Sequence, residues 1–466
     1  MPLNVFDYFQ NESAYPDLDA DAAARRLSAA LQCNTTGYLD TSLVDYGEFD
    51  RLHRLMLENY PHVAAEAEFR EIGHSVLFTL KGSDPSLRPA LFMSHQDVVP
   101  VVPGTEVDWL HGPFSGDIAD GFIWGRGALD IKEMVFGILE AGEYLLAHKV
   151  RFARTIYFAF GQDEETLNTG AKAIADFLES QGVQLEFLLD EGGGRIDTAA
   201  AYGAPGAVAA NICLGEKGYL DLALSVKSSG GHSSNPWGGT SLGALARAID
   251  RIQSNPLPPK MTPVLREAFS VLAPRITEEP FASLSQNPAK YEAELTERCM
   301  ERRGLYNLIS TTIAPTMIEG GSQAGNVMPQ DMRAVINFRI APHNTVDEVI
   351  SHCRSLADER VEISVVQGNE ASALARTDGY GYPALTDALR RFFTGVVFLP
   401  AISAGATDAH QYENICDTCL RFSPFLEQAE IVAAGVHGTN ERISVRSYAQ
   451  GIRVLISLME ATCAEK

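Results

Sequence analysis

Thr155–Glu165 reads TIYFAFGQDEE. The run Thr155–Phe160 is β-branched and aromatic, which predicts a buried strand. It leads directly into three carboxylates, Asp163, Glu164 and Glu165. Acidic groups crowded at one strand end repel one another unless a cation or protons offset them. Strand carboxyl ends are also where α/β sheets place their sites. Adjacent Glu164 and Glu165 can point different ways, one toward a metal and one toward a bound water. A solvated acidic turn is the plainer alternative.

The same arrangement occurs twice more. Leu91–Pro100, LFMSHQDVVP, is an apolar strand ending in His95 and Asp97. Residues two apart on a strand share a face, and a metal-ligating His usually donates its other ring N–H to a carboxylate. Leu185–Gly194, LEFLLDEGGG, ends in Asp190 and Glu191. Between them Ile123–Glu133, IWGRGALDIKE, places Asp130 where a helix starts, after glycines that allow close backbone approach. Asp130 reads equally as a helix N-cap. Its GRG lacks the Walker lysine and the full GxGxxG, so a phosphate loop is excluded. Val436–Arg442, VHGTNER, sets His437 in a loop before a final helix, where a lone His is usually structural. Taken together, oxygen and nitrogen donors without cysteine suit zinc, cobalt or manganese. Two such ions sharing a carboxylate can hold a hydrolytic water and polarise a carbonyl.

Working outward, the chain of 466 residues exceeds one ordinary core, so two domains are expected. Short apolar strands (Ser75–Leu80, Ala90–Ser94, Thr155–Phe160, Leu185–Leu189) alternate with helical patterns at Lys132–His148 and Thr169–Gln181. That alternation predicts an α/β sheet covered on both faces. Near Gly215 the pattern changes. A strand over Lys217–Ser228 and a helix over Ser241–Gln253 precede a polar helical stretch, 261–306. Strands at Leu308–Ile318 and Asp331–Ile340, a helix at Thr345–Leu356 and a strand at Val361–Val366 complete a small β-α-(insert)-β-β-α-β sandwich. The expected division is 1–214 and 369–466 for one α/β domain, interrupted by 215–368.

A net charge of −23 disfavours nucleic acid as a partner. Seven scattered cysteines do not make a disulfide framework, and the single CxxC at Cys416 and Cys419 lacks the second pair of a zinc knuckle. No apolar run is long enough to span a membrane, and the N-terminus is acidic where a signal peptide would be basic. A cytoplasmic protein without a membrane partner is expected.

SHQDVVP, WGRGALDIK, FGQDEET, LDEGGG, GGHSSNP, GNVMPQDMRAVINFR and HGTNERI occur in an order and spacing that resembles one family from about residue 45 onward. It is metallopeptidase family twenty, the zinc exopeptidases and aminoacylases that include carboxypeptidase S, aminoacylase, dipeptidase V and succinyl-diaminopimelate desuccinylase. WLHGPFSGDIADGFIWGRGALDIKE is most similar to the carboxypeptidase S branch. The resemblance implies a catalytic α/β/α domain with a mixed central sheet, plus an inserted ferredoxin-like α+β lid through which two copies can pair. It implies two Zn²⁺ per subunit, with Co²⁺ or Mn²⁺ as substitutes. His95 and Asp190 would hold one ion, Glu165 and His437 the other, and Asp130 would bridge them. Glu164 would be the general base, Asp97 would orient His95, and His232 of GGHSS would stabilise the oxyanion. Asn326, Arg339 and Gly405 would contact substrate, Arg339 by bidentate pairing with a carboxylate. One departure is AGATDAH, Ala404–His410, where His410 stands in place of the usual Arg. The implied reaction is metal-assisted hydrolysis of an amide beside a free carboxylate. The substrate is a short peptide, as for a carboxypeptidase or dipeptidase, or an N-acyl amino acid. A non-catalytic zinc-binding protein would usually have lost the base or a ligand, and neither is lost here.

Overall fold

The computed structural model describes residues 3–192 and 196–465. In chain order its principal strands are β1 (Glu68–Ile72), β2 (Ser75–Leu80), β3 (Ala90–His95), β4 (Ile156–Gly161), β5 (Phe187–Asp190), β6 (Ala204–Glu216), β7 (Gly218–Lys227), β8 (Thr312–Gly320), β9 (Asp331–Ile340), β10 (Glu362–Asn369), β11 (Val396–Ser403) and β12 (Cys419–Arg421). The larger sheet runs β1-β2-β4-β3-β5-β12-β6-β11. Its centre is parallel, because β3 pairs in parallel with β4 and β5, and β12 with β5. The carboxyl ends of β3, β4 and β5 therefore share one edge.

Period-two alternation explains how these strands stay buried on both sides. Ala90 and Phe92 face a core with the helices Lys132–Ala147 and Val445–Cys463, whereas Leu91 and Met93 face a second core with the helix Thr169–Ser180. The expected α/β/α layering with a mixed sheet is what the chain adopts.

The smaller sheet is antiparallel, in the order β8-β9-β7-β10. The helices Ser241–Ser254 and Val346–Leu356 cover one face. This is the strand order of the ferredoxin-like sandwich expected for the lid.

The stretch 215–368, expected as one inserted body, divides in the structure. Helices between Pro263 and Ile309 pack through Leu265, Phe269 and Leu272 onto Val397 and Leu399 of β11 and Ala207 and Ala209 of β6, within the larger sheet. The reason is visible in β6, a long strand that the sequence pattern near Gly215 obscured. Its small alanines leave a face of the larger sheet that the insert's apolar side chains cover.

Four chain crossings link the sheets, at Glu216–Lys217, at 255–262, at Ser310–Thr311 and near Ser372, and hydrogen bonds tie them together, among them Lys260 N–H donating to Ile309 O at 2.9 Å. Ser372 N–H donates to Glu216 O at 3.0 Å. The buried Lys217 donates Nζ–H to Asn307 O at 2.9 Å and Ser310 O at 2.7 Å. Burial pushes its ammonium down to about 7.

Phe425 sits where the helices Lys132–Ala147 and Val445–Cys463 cross, against Gly137 and Gly451. A Cβ on either glycine would overlap the ring. Gly451→Ala gains about 1 kcal/mol of helix propensity but forces the ring aside at a cost of about 1–3 kcal/mol. A lower melting temperature is expected in thermal unfolding. A rise would show that Phe425 relocates freely.

Candidate active site

His95 ends β3 and is buried. Its Nδ1 lies 3.0 Å from Asp97 O and 3.3 Å from Asp97 Oδ1. That leaves Nε2 facing inward, 3.3 Å from both Asp130 Oδ1 and Glu191 Oε1. Among the described residues Nε2 has no hydrogen-bond partner. Asp97 also reaches the neighbouring strand end: its Oδ1 accepts Glu164 N–H at 3.0 Å and its Oδ2 accepts Glu165 N–H at 3.1 Å. One buried carboxylate thus fixes His95 and the two glutamates that follow β4.

Two loops bring in the rest. His437 Nε2 lies 3.0 Å from Asp130 Oδ2 and 3.1 Å from Glu165 Oε1. His437 has a left-handed backbone, φ 56°, and Asn440 likewise, φ 62°. Asn440 Oδ1 accepts Leu110 N–H at 2.6 Å, which pins this turn to the loop before it. Four residues past His437, Glu441 is fully buried. Its Oε1 accepts the N–H groups of Gly127 (3.1 Å), Leu129 (2.8 Å) and Asp130 (3.1 Å). Arg126 donates Nη1–H to Glu441 Oε2 at 2.5 Å and Nη2–H to Gly438 O at 3.0 Å. The GRGALD and HGTNER loops are therefore one clasp, and it sets Asp130 against His437.

The donor atoms of His95, Asp130 and Glu165 lie within 4.8 Å of one another, as do those of His95, Glu164 and Glu191. These groups could hold cations. Burial raises Glu164 well above the usual carboxylate range, and Glu191, Asp408 and Glu165 add to the shift. Burial likewise carries Glu191 up to about 7 and raises Asp190. Burial alone would lower His95, but Glu191, Asp130 and Asp97 outweigh it and raise it well above its ordinary value. Hydrogen bonds to Asp130 and Glu165 raise His437 to about 10. So many carboxyls in a desolvated space resist ionisation unless positive charge joins them.

Asp190, expected beside His95, is not there. It shares the face of Leu188, toward Ala409 and Tyr412, and its Oδ2 accepts Ala409 N–H at 2.8 Å. Glu191, just past the strand end, stands beside His95 instead. Alternation along LEFLLDE carries the sign of this, since Asp190 must fall on the Leu188 face. Asp408 of AGATDAH is buried near the site, its Oδ1 accepting Asn168 Nδ2–H at 3.2 Å. Gly405 is exposed. His410 Nδ1 lies 3.6 Å from Glu413 Oε2.

The lid residues lie apart from the cluster. His232 and Asn326 adjoin in a short ribbon, with Ser233 N–H donating to Asn326 O at 2.9 Å and Ser234 Oγ 2.8 Å from His232 Nδ1. Both are exposed. Arg339, on β9, lies over the Tyr219 ring at 4.7 Å.

Residues 91–461 match the description Peptidase family M20/M25/M40. The human N-fatty-acyl-amino acid synthase/hydrolase PM20D1 is 35% identical over 455 residues, covering 94% of this chain and 87% of that protein. The probable carboxypeptidase S-like 2 of Dictyostelium discoideum is 33% identical over 447 residues, covering 94% and 85%. The crystal structure of a metallo-carboxypeptidase of the same family from Sulfolobus solfataricus shares the fold, with a TM-score of 0.65 at 17% identity, over 94% of this chain and 98% of that one. The chain belongs to this metal-dependent peptidase family, on its carboxypeptidase S side, and is a hydrolytic enzyme of peptides or related amides.

Proposed function

We propose that this protein is a di-zinc exopeptidase of the carboxypeptidase or dipeptidase kind, cleaving an amide next to a free carboxylate. The observation that carries the reading is the convergence of His95, Asp130, Glu164, Glu165, Glu191 and His437 at one sheet edge. The residues fit a metal pair, because His95 Nε2 is a buried, unpartnered donor faced by two carboxylates. His95 and Glu191 would hold one ion, Glu165 and His437 the other, with Asp130 between them. Such a pair acts as a Lewis acid and lowers the pKa of water toward about 7.

The protein's own groups supply the remaining steps. Asp97 fixes the His95 ring and the backbone of Glu164. Glu164 accepts a proton from the attacking water at its carboxylate and later returns it to the leaving amine. His232, carried by the lid, donates to the developing oxyanion once the lid closes or a second copy docks. Arg339 offers a planar fork for the substrate carboxylate, and Asn326 and Gly405 line its approach.

A second reading, an N-acyl amino acid hydrolase, has its own support. The human relative is named for that activity, and Val107 and Leu110 lie 88% and 77% exposed beside the HGTN turn. Those side chains could receive an apolar acyl group at the rim.

Glu164→Gln is expected to lower kcat by several orders of magnitude while metal stoichiometry, read by mass spectrometry of the native protein, is unchanged. Near-normal turnover would remove Glu164 as the base. Dipeptides, N-acetyl and long-chain N-acyl amino acids assayed side by side should give the highest kcat/KM for dipeptides. A clear preference for long acyl chains would install the second reading. Glu441→Ala leaves three backbone N–H groups unmet behind Asp130 and is expected to weaken zinc binding by about 10–100-fold, as measured by competition with a chelator.

A further inference from the structure

The lid sheet carries an arginine that meets no anion. Leu220, Leu222 and Leu224 of β7 and Ile336, Phe338 and Ile340 of β9 belong to the core beneath the covering helices. Alternation therefore turns Tyr219, Asp221, Asn337 and Arg339 to the other face. The register sets Tyr219 opposite Arg339 and Asp221 opposite Asn337. Farther along the same face Arg333 is paired, 3.6 Å from Glu319. Arg339 is half-buried, and among the described residues its guanidinium has neither a carboxylate partner nor a hydrogen-bond acceptor. It lies over the Tyr219 ring, 4.7 Å from its centre. A neighbouring charge is another cation: burial, and then Arg339, push Lys217 down to about 7.

A carboxylate is nevertheless within reach. Asp221 stands diagonally across the strand pair from Arg339, a separation of about 7–8 Å that long side chains span. Each of its oxygens already accepts a hydrogen bond. Tyr219 donates Oη–H to Asp221 Oδ2 at 2.7 Å, and Asn337 donates Nδ2–H to Asp221 Oδ1 at 2.8 Å. Both donors are neutral, whereas a guanidinium would make the stronger, doubly charged bond. The arrangement thus commits Asp221 to two weaker partners and leaves the fork of Arg339 unpaired.

We infer that Tyr219 is a positioning residue for Arg339: with Asn337 it restrains Asp221, and so keeps the guanidinium open for the carboxylate of the substrate. Tyr219 acts from both ends, its hydroxyl holding Asp221 while its ring face supports the guanidinium. The inference rests on the role given to Arg339 above. An arginine paired within the lid would have to break that pair before taking substrate. The loss would appear in binding rather than in the chemical step.

The test uses the full-length, metal-loaded enzyme and whichever dipeptide or N-acyl amino acid it hydrolyses best. Tyr219→Phe keeps the ring and releases Asp221 Oδ2. KM should rise about fivefold, the size of one partly screened ion pair, with kcat changed by less than about twofold. Adding Asp221→Asn to Tyr219→Phe removes the competing charge and should return KM to within about twofold of the wild type. A merely structural loss would not be repaired by a second substitution. An unchanged KM in Tyr219→Phe, or a double variant whose KM stays as high as that of Tyr219→Phe, overturns the inference. Arg339→Met separates it from the reading beneath it and should raise KM more than Tyr219→Phe does. An unchanged KM in Arg339→Met overturns the carboxylate role of Arg339, and the inference with it. A wild type that hydrolyses no amide overturns the hydrolase reading itself and everything resting on it.

Discussion

One buried carboxylate, that of Glu441, makes the rest of the site possible. Asp130 and His437 lie far apart in sequence and on irregular chain, where no sheet register fixes their separation. Glu441 takes three backbone N–H groups from the first loop and the Arg126 guanidinium from the same loop, while its own backbone continues the second. Burial pushes the Glu441 carboxyl up to about 7, and Arg126 and the backbone N–H groups oppose that rise. Arg126, buried beside it at 2.5 Å, and the three N–H groups together offset the cost of burying it. Asp97 does the same for the other half, joining the ends of β3 and β4. The groups that converge at the sheet edge are held by a frame of carboxylates, Asp97 and Glu441, that stand outside the candidate ligand groups.

That frame explains what could be read from the chain before any coordinates. Apolar strands that end at His95 and Asp190, and at Gly161 just before the Asp163–Glu165 carboxylates, announce themselves, because hydrophobic runs and abrupt polar ends are local properties. The three parallel neighbours and their common edge follow from the α/β pattern. The resemblance implies Asp190 beside His95, and the structure places Glu191 there instead. Both follow LEFLL, and a motif match carries no information on which of two adjacent carboxylates turns toward His95. The side-chain parity of β5 does, once Leu188 is assigned to the helix Thr169–Ser180 side. Glu441 was out of reach for a different reason. Its partners lie more than three hundred residues away, and no spacing rule connects an acidic side chain to distant backbone amides.

The insert was misplaced on similar grounds. Residues 261–306 read correctly as helical, and their position between lid strands suggested that they belong to the lid. Packing decided otherwise, since β6 and β11 present alanine and valine surfaces that must be covered. Local pattern specifies an element, but which surface receives it depends on area left bare elsewhere. The acidity of the chain is likewise partly a property of the site, because several of its carboxylates are arranged to be neutralised by something the sequence formula does not count.

The tied crossings between the two sheets have a mechanical consequence. Entry at Glu216–Lys217, the middle passage at Ser310 and exit at Ser372 are bound to one another. With the passage at 255–262 also tied in, through Lys260 N–H and Ile309 O at 2.9 Å, the four crossings form one fastened seam between the two sheets. His232, Asn326 and Arg339 all lie on the lid side of that seam, so a turn about it would carry them together relative to the cluster at the sheet edge. Changes on the outer surface of the lid can alter such a turn without disturbing the frame of buried carboxylates around the cluster.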